Sequence, residues 1–486
     1  MQKGVELQQI LYDLIETQIK FGVHRYGESL PTIKEASSYF LASVDTVRLV
    51  YVRLKQEGYI SLSSGVGATV RIQYNDEEIH RHIQEYFSCR RSTLLAFAQS
   101  FKLLFGYAQW FALKNASPLT LDELERICKQ VNIPPTYRMS RQLQLIYGPL
   151  GNELLIRLVW QMFLFFQGPF LSVPQNIEYF EGGKNPIQGM ICLVREKNWT
   201  GLWESVETYE EQRFEALRLF FDHNIPEDVS YSERIDFTWN IYKKAHQVCY
   251  SLCMELLTGI REGYYPAGTF LPPPQELAKE KQVGVKTIRR SIQLLGKLGA
   301  TESINGIGTK VLPPVDNPKN CDFSDTTIRK RLLDFLQSFH LLALSCRACA
   351  QITVESMDDV SLCRCLELLK GVRRSGLYET VVEVCFQTIS LYAPYQAIRT
   401  VYNELARQLF WGGPLRNLHG DRESTNAYFG PYLESLIQFI HRADASGFSQ
   451  KLEELQIAET KLIAQSLVQL GIREAADLLL QDWESN

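Results

Sequence analysis

The chain has 486 residues, too many for one compact core, so two to four domains are expected. Its composition, 45% apolar and 22% charged, is that of a globular protein in water, and a net charge of −4 excludes a generally basic, nucleic-acid-coating protein while leaving local basic faces open. The most apolar run, Leu154 to Phe166, contains Arg157 and is too short to span a bilayer, and eleven cysteines behind an N-terminus without an apolar signal core point to free thiols in a reducing cytoplasm.

In chain order, Leu7, Ile10, Leu11, Leu14, Ile15 and Ile19 recur at helical spacing and predict an amphipathic helix over 5–21. A turn around Gly27 and the step Leu30-Pro31 follow. Thr32-Ile33-Lys34-Glu35 has the capping-box pattern and opens a short helix over about 32–40. Ser43 caps a second helix that runs through Val44, Asp45, Thr46, Val47, Arg48, Val50 and Leu54 to Gly58. Two helices joined by so tight a turn make a helix-turn-helix. Residues 59–62 and 69–72 read as short strands, with Ser64, Gly65 and Gly67 between them where a hairpin turn needs positive φ. Three helices and a β-hairpin form a winged helix. The glycine pair is no phosphate loop, because no Gly-Lys-Ser/Thr follows and a strand rather than a helix comes next.

From Ile79 to Phe221 the pattern is helical, with Phe97, Phe101, Leu104, Phe105, Ala108 and Phe111 on one face. Trp160, Phe163, Phe165 and Phe166 read as core, and His80-Arg81-His82 as a solvated face. Arg157 is a weak candidate for holding an anionic effector; the alternative is an exposed or core-paired arginine. His223–Asp228 has the composition of a linker.

Beyond that linker the chain repeats itself. Residues 27–70 align without a gap on 268–311, with identities at Gly27/Gly268, Leu30/Leu271, Pro31/Pro272, Glu35/Glu276, Val44/Val285 and Thr46/Thr287. Six more fall at Arg48/Arg289, Leu54/Leu295, Gly58/Gly299, Gly65/Gly306, Gly67/Gly308 and Val70/Val311, at turn, cap and core positions. The helical segment is echoed too: Gln99-Ser100-Phe101 by Gln337-Ser338-Phe339, and Gly168-Pro169 by Gly413-Pro414. The expected fold is mainly α, a tandem duplication of a winged helix-turn-helix domain followed by an all-α helical bundle. The expected boundaries are 1–75 and 237–314 for the winged helices, and 76–236 and 315–486 for the bundles.

In the second bundle Leu332, Leu336, Phe339, Leu342 and Cys346 share a face, and Phe410 and Trp411 read as core. Cys346-x-x-Cys349 with Cys363-x-Cys365 has the residue types of a four-thiolate zinc site, but the counterparts of the first pair are Ala108 and Phe111, so apolar filler is expected and no metal. No nucleophile–base arrangement is present, and neither an enzyme nor a cofactor is expected.

Three motifs in order carry a resemblance. Leu30-Pro31-Thr32, Thr46-Val47-Arg48 and Gly65-Val66-Gly67-Ala68-Thr69 in the first copy, and Leu271-Pro272-Pro273, Thr287-Ile288-Arg289 and Gly306-Ile307-Gly308-Thr309 in the second, resemble the DNA-binding domain of GntR-family bacterial transcription regulators. The resemblance implies that the second helix of each pair enters the major groove of an operator while the wing approaches the minor groove. It thereby marks Thr32, Lys34, Ser43, Val44, Asp45, Thr46, Arg48, Ser64, Gly65 and Gly67 in the first copy as DNA-binding candidates. In the second copy the candidates are Gln275, Lys286, Thr287, Arg289, Arg290, Asn305, Gly306 and Gly308. Lys34, Gln275, Val44 and Val285 stand where that family often has arginine.

Residues 1–75 hold eight Lys/Arg against seven Asp/Glu, and 239–314 hold ten against five, so the second copy is expected to bind duplex DNA more strongly. The resemblance also implies that the helical domains sense a small-molecule effector and mediate dimerisation. One chain then works as a pseudo-dimer, with homodimerisation of the whole chain open beside it. No Asp/His metal constellation of the kind one helical class uses is present. The rival reading is a helical interaction or scaffold protein whose winged helices no longer bind DNA.

Overall fold

The structure, a computed structural model, describes residues 5–40, 42–63, 67–130, 135–173, 175–176, 186–225, 237–239, 241, 248–313, 320–415 and 418–479. Compactness divides the chain into two units, Met1–Thr238 with Tyr395–Ala397, and Trp239–Pro394 with Ile398–Asn486. None of the described helices is long and apolar enough to cross a membrane.

The first unit opens with α1 (Val5–Lys20), α2 (Ile33–Tyr39) and α3 (Val44–Gln56), then β1 (Ile60–Ser63) and β2 (Gly67–Val70). The helix starts follow from local chemistry. The Glu35 amide donates to Thr32 Oγ1 at 3.2 Å and the Thr32 amide to Glu35 Oε2 at 2.8 Å, closing the capping box. The Thr46 amide donates to Ser43 Oγ at 3.1 Å, capping α3. Leu11, Ile15, Val47, Val50, Leu54 and Val70 converge on one core. The hairpin is antiparallel, with Ile60 opposite Val70 and Ser63 opposite Gly67.

The wing differs from the expected one. The second strand starts at Gly67, not Thr69, so this glycine belongs to the ladder rather than to the turn. Its φ of +91° is a conformation that a side chain would oppose.

Helices α4 (Asp76–Ser88), α5 (Arg91–Lys114), α6 (Pro118–Cys128), α7 (Pro135–Tyr147), α8 (Glu153–Phe170), α9 (Pro186–Arg195) and α10 (Trp199–Asn224) build the first helical domain. Winged helix and helical domain share a core: Tyr137 from α7 and Trp160, Phe163 and Leu164 from α8 join the apolar cluster of α1–α3. The Tyr39 ring stacks on Tyr137 at 4.7 Å and Phe40 meets it edge-on at 5.1 Å, each such pair contributing about 0.5–1.5 kcal/mol beyond burial. Deeper in the bundle the Arg213 guanidinium lies 2.6 Å from the Glu210 carboxylate and 4.4 Å above the Phe101 ring, with both charged groups buried. With its amide turned so that oxygen faces the arginine, Gln167 accepts from Arg213 Nε and Nη2.

The second unit repeats the plan. Its winged helix is α11 (Val248–Arg261), α12 (Pro274–Glu280), α13 (Val285–Lys297), β3 (Thr301–Ile304) and β4 (Gly308–Val311). Its helical domain is α14 (Thr326–Ser356), α15 (Asp359–Ser375), α16 (Val381–Tyr392), α17 (Gln396–Gln408), α18 (Arg422–His441) and α19 (Ala445–Gln469). The long α14 packs along α19 as the spine. Cys346 and Cys349 are buried in α14 and Cys365 is buried in α15, whereas Cys363 is exposed. Burial pushes the Cys346 and Cys349 thiols up.

Candidate nucleic-acid interface

Each winged helix exposes one face of its second helix-turn-helix helix, and the two faces differ in chemistry. In the first copy α3 turns Val47, Val50, Tyr51 and Leu54 inward. The Tyr51 hydroxyl donates to the Pro31 carbonyl at 2.6 Å, fixing the corner that the Leu-Pro step begins. What α3 shows to solvent is Val44 (40% exposed), Leu49 (51%) and Val52 (37%), with Asp45 and Arg48 beside them and Lys55 and Gln56 at its last turn. Arg48 Nη1 lies 2.5 Å from Asp45 Oδ1, so the one arginine at the tip of this helix is met by a carboxylate one turn away.

The other first-copy candidates fall into place around it. Thr32 and Lys34 are exposed at the start of α2, where the Thr32 hydrogen bonds hold the Glu35 carboxyl below the usual carboxylate range. Ser43 is exposed but engaged in its cap, and Gly67 is half-buried in β2. Thr46 is turned inward, only 4% exposed, with its hydroxyl 2.8 Å from Ser43 Oγ; its side chain supports the helix start instead of facing outward. Ser64 and Gly65 lie outside the described residues.

In the second copy α13 turns Ile288, Ile292 and Leu295 inward and shows Lys286, Arg289, Arg290, Gln293 and Lys297. Lys297 reaches Asp325 at 2.6 Å. Among the described residues no carboxylate lies within 4.0 Å of Lys286, Arg289 or Arg290. The helix starts at Gly284, which has no side chain to cap it; the Thr287 amide instead donates to the Gly284 carbonyl at 2.8 Å, and no side chain among the described residues takes the first amides of α13. Ser291 Oγ donates to the Cys249 carbonyl at 2.9 Å, tying α13 to α11. Gln275 is exposed on α12 and Thr287 is half-buried.

The second wing is described throughout. Thr301 pairs with Val311 and Ile304 with Gly308, leaving Asn305, Gly306 and Ile307 as the turn. Gly306 has φ +75° and Gly308 φ +149°, and a Cβ on Gly308 would come within 3.3 Å of the Phe270 ring. The tip projects Ile307, 70% exposed, between exposed Asn305 and Gly308.

Four residues of these surfaces were not singled out from the sequence. Gln293 and Lys297 continue the Lys286–Arg289/Arg290 stripe at helical spacing, and Leu49 and Val52 are the complement of the inward Val47–Val50–Leu54 set; both signals were present as periodicity. Arg157 is exposed on α8, which removes the apolar setting that made it a candidate for anion binding.

Comparison with known proteins fits this geometry. Residues 7–70 and 252–311 each match the family described as bacterial regulatory proteins, gntR family. Among solved structures the chain is similar to Streptococcus agalactiae GntR, at 19% identity and a TM-score of 0.22 over 44% of this chain and 98% of that one. It is also similar to E. coli McbR/YncC (18% identity, TM-score 0.23, 45% and 99%) and to a putative GntR transcriptional regulator of Rhodococcus sp. RHA1 (16%, 0.25, 46% and 97%). No curated protein matches. Each of the two winged helices is thus a match to the same family domain, and the chain carries the DNA-binding domain of the gntR family of bacterial regulatory proteins twice.

Proposed function

We propose that the chain acts in the cytoplasm as a single-chain pseudo-dimer on an operator, with the second winged helix as its principal DNA contact and its helical domains sensing a small molecule. The observation that carries this reading is the outer face of α13, where Lys286, Arg289 and Arg290 stand without carboxylate partners among the described residues, beside an uncapped helix start. Phosphate neutralisation dominates affinity for duplex DNA, and an arginine on a helix in the major groove can also read guanine. Gln275, Thr287 and the wing tip Asn305-Gly306-Ile307 are the further contacts this reading assigns. Two fused copies of a domain suit an operator with two half-sites, and fusion frees the halves to diverge.

The test is a salt titration of the whole chain on duplex DNA. Affinity should fall steeply with salt. Arg289→Ala with Arg290→Ala should cost about tenfold or more and flatten the salt slope by about two, one per lost phosphate contact, whereas Arg48→Ala should cost little. Equal losses from the two sites would refute the ranking, and no binding at low salt would refute the function.

A second reading concerns the first winged helix alone. Val44, Leu49 and Val52 give α3 an apolar outer face, which suits contact with protein better than with phosphate. On that reading Leu49→Ser leaves DNA affinity unchanged.

A further inference from the structure

In the second unit a cavity of about 300 Å³ opens between the winged helix and the helical domain. One wall belongs to the DNA-binding module: Leu257, Ile260 and Arg261 from the end of α11, Leu298 and Ala300 between α13 and β3, and Leu312 just past β4. The opposite wall is aromatic and aliphatic, with Phe335 and Phe339 from α14, Phe410, Phe429 from α18, and Ile463 from α19. Gly412 makes room for this lining, since a Cβ there would run into the Phe335 ring.

The polar groups in this lining have a definite sign. Three carboxylates, Glu379, Glu383 and Glu459, face one guanidinium, Arg261, and one imidazole, His419. Arg261 is already engaged by Glu383 and lies over the Phe410 ring. His419 sits 3.0 Å from Glu459 and stacks on Tyr428 at 4.2 Å. Glu459 is the deepest of the three, 7% exposed. Glu379 is held by Arg422 at 2.7 Å and Glu383 by Arg261, so of the three carboxylates only Glu459, beside His419, lacks a guanidinium or ammonium partner among the described residues. An incoming carboxylate would meet no uncommitted cation, whereas a protonated amine would meet Glu459, with aromatic faces to receive it.

The volume equals that of about ten waters, enough for a ligand of roughly ten to twelve non-hydrogen atoms. We infer that this cavity is a binding site for a small amphipathic amine, with an apolar, aryl-bearing body against Phe335, Phe339 and Phe429 and its ammonium group at the Glu459 end. The inference gives a place and a ligand class to the sensing role in the proposed function and rests on that reading for its biological meaning.

The probes are 4-phenylbutylamine and 4-phenylbutyrate, nearly equal in shape and opposite in charge, titrated calorimetrically into the whole chain. The amine should bind at millimolar concentration or below, at least about tenfold more tightly than the carboxylate. Glu459→Gln should erase most of that preference. Thr380→Phe, at the half-buried rim, should block both probes while the melting temperature shows the fold intact. Tighter binding of the carboxylate, binding of neither probe, or an amine affinity unmoved by both variants would overturn the proposal. Operator affinity measured with and without the amine is a separate readout: binding that leaves it unchanged upholds the site and removes its sensing role.

Discussion

Arg213 shows how much one side chain can govern. Burial raises the Glu210 carboxyl above its usual range, and the adjacent guanidinium pulls it back. A raised native value means that the group favours the fold below the unfolded carboxylate range and disfavours it as pH rises through the native value. Arg213→Met removes the opposing charge, so destabilisation should be about 3–5 kcal/mol at pH 7 and clearly smaller near pH 5. Urea unfolding at the two pH values checks this, and an equal loss at both would show that Glu210 is not the cause. At this scale the sequence was partly legible. Thr32 with Glu35, and Ser43 with Thr46, announced their caps because such bonds span only three residues. The inward turn of Thr46 and the Gln167–Arg213–Glu210 cluster were not readable, since one depends on helix phase against a core and the other joins two helices far apart in the chain.

Between the helix pairs, the contrast lies in how each recognition helix begins. Ser43 occupies the Thr46 amide at the start of α3, whereas Gly284 leaves the start of α13 without a side-chain acceptor. Gly284→Ser should therefore stabilise the second winged helix slightly, by roughly a few tenths of a kcal/mol, through a new cap. It should also weaken operator binding, because the serine hydroxyl would occupy the helix end that phosphate would otherwise approach. Thermal melting and a DNA titration on one variant test both signs, and a gain in both properties would show that phosphate does not use this helix end. The expected hairpin of the first copy was right in kind but shifted, its strands running Ile60–Ser63 and Gly67–Val70 instead of 59–62 and 69–72. The second strand of the first wing starts two residues earlier than its Thr-Val pattern suggests, because Gly67 can enter the ladder at positive φ opposite Ser63. β-branched residues advertise a strand, but a glycine in the same ladder advertises a turn.

For the whole molecule, duplication was legible because identities at glycine, proline and cap positions survive where surface residues drift. The cavity of the second unit was not, since its lining is gathered from residues between Leu257 and Ile463 and no local pattern marks them. Unequal recognition faces predict the form of the operator. In-vitro selection of bound duplexes should return one well-defined half-site read by α13, with weaker or different preference at the other, rather than a palindrome. Two equally strong inverted half-sites would contradict it.

A protein with two identical reading helices sits on a palindrome without front or back. On the proposed reading one helix offers Lys286, Arg289 and Arg290 to the groove, and the other offers valine and leucine beside an ion-paired Arg48. Such a chain has polarity. Once bound, it points one way along the duplex, so the same site cut out and reinserted in reverse presents a different surface to whatever lies upstream.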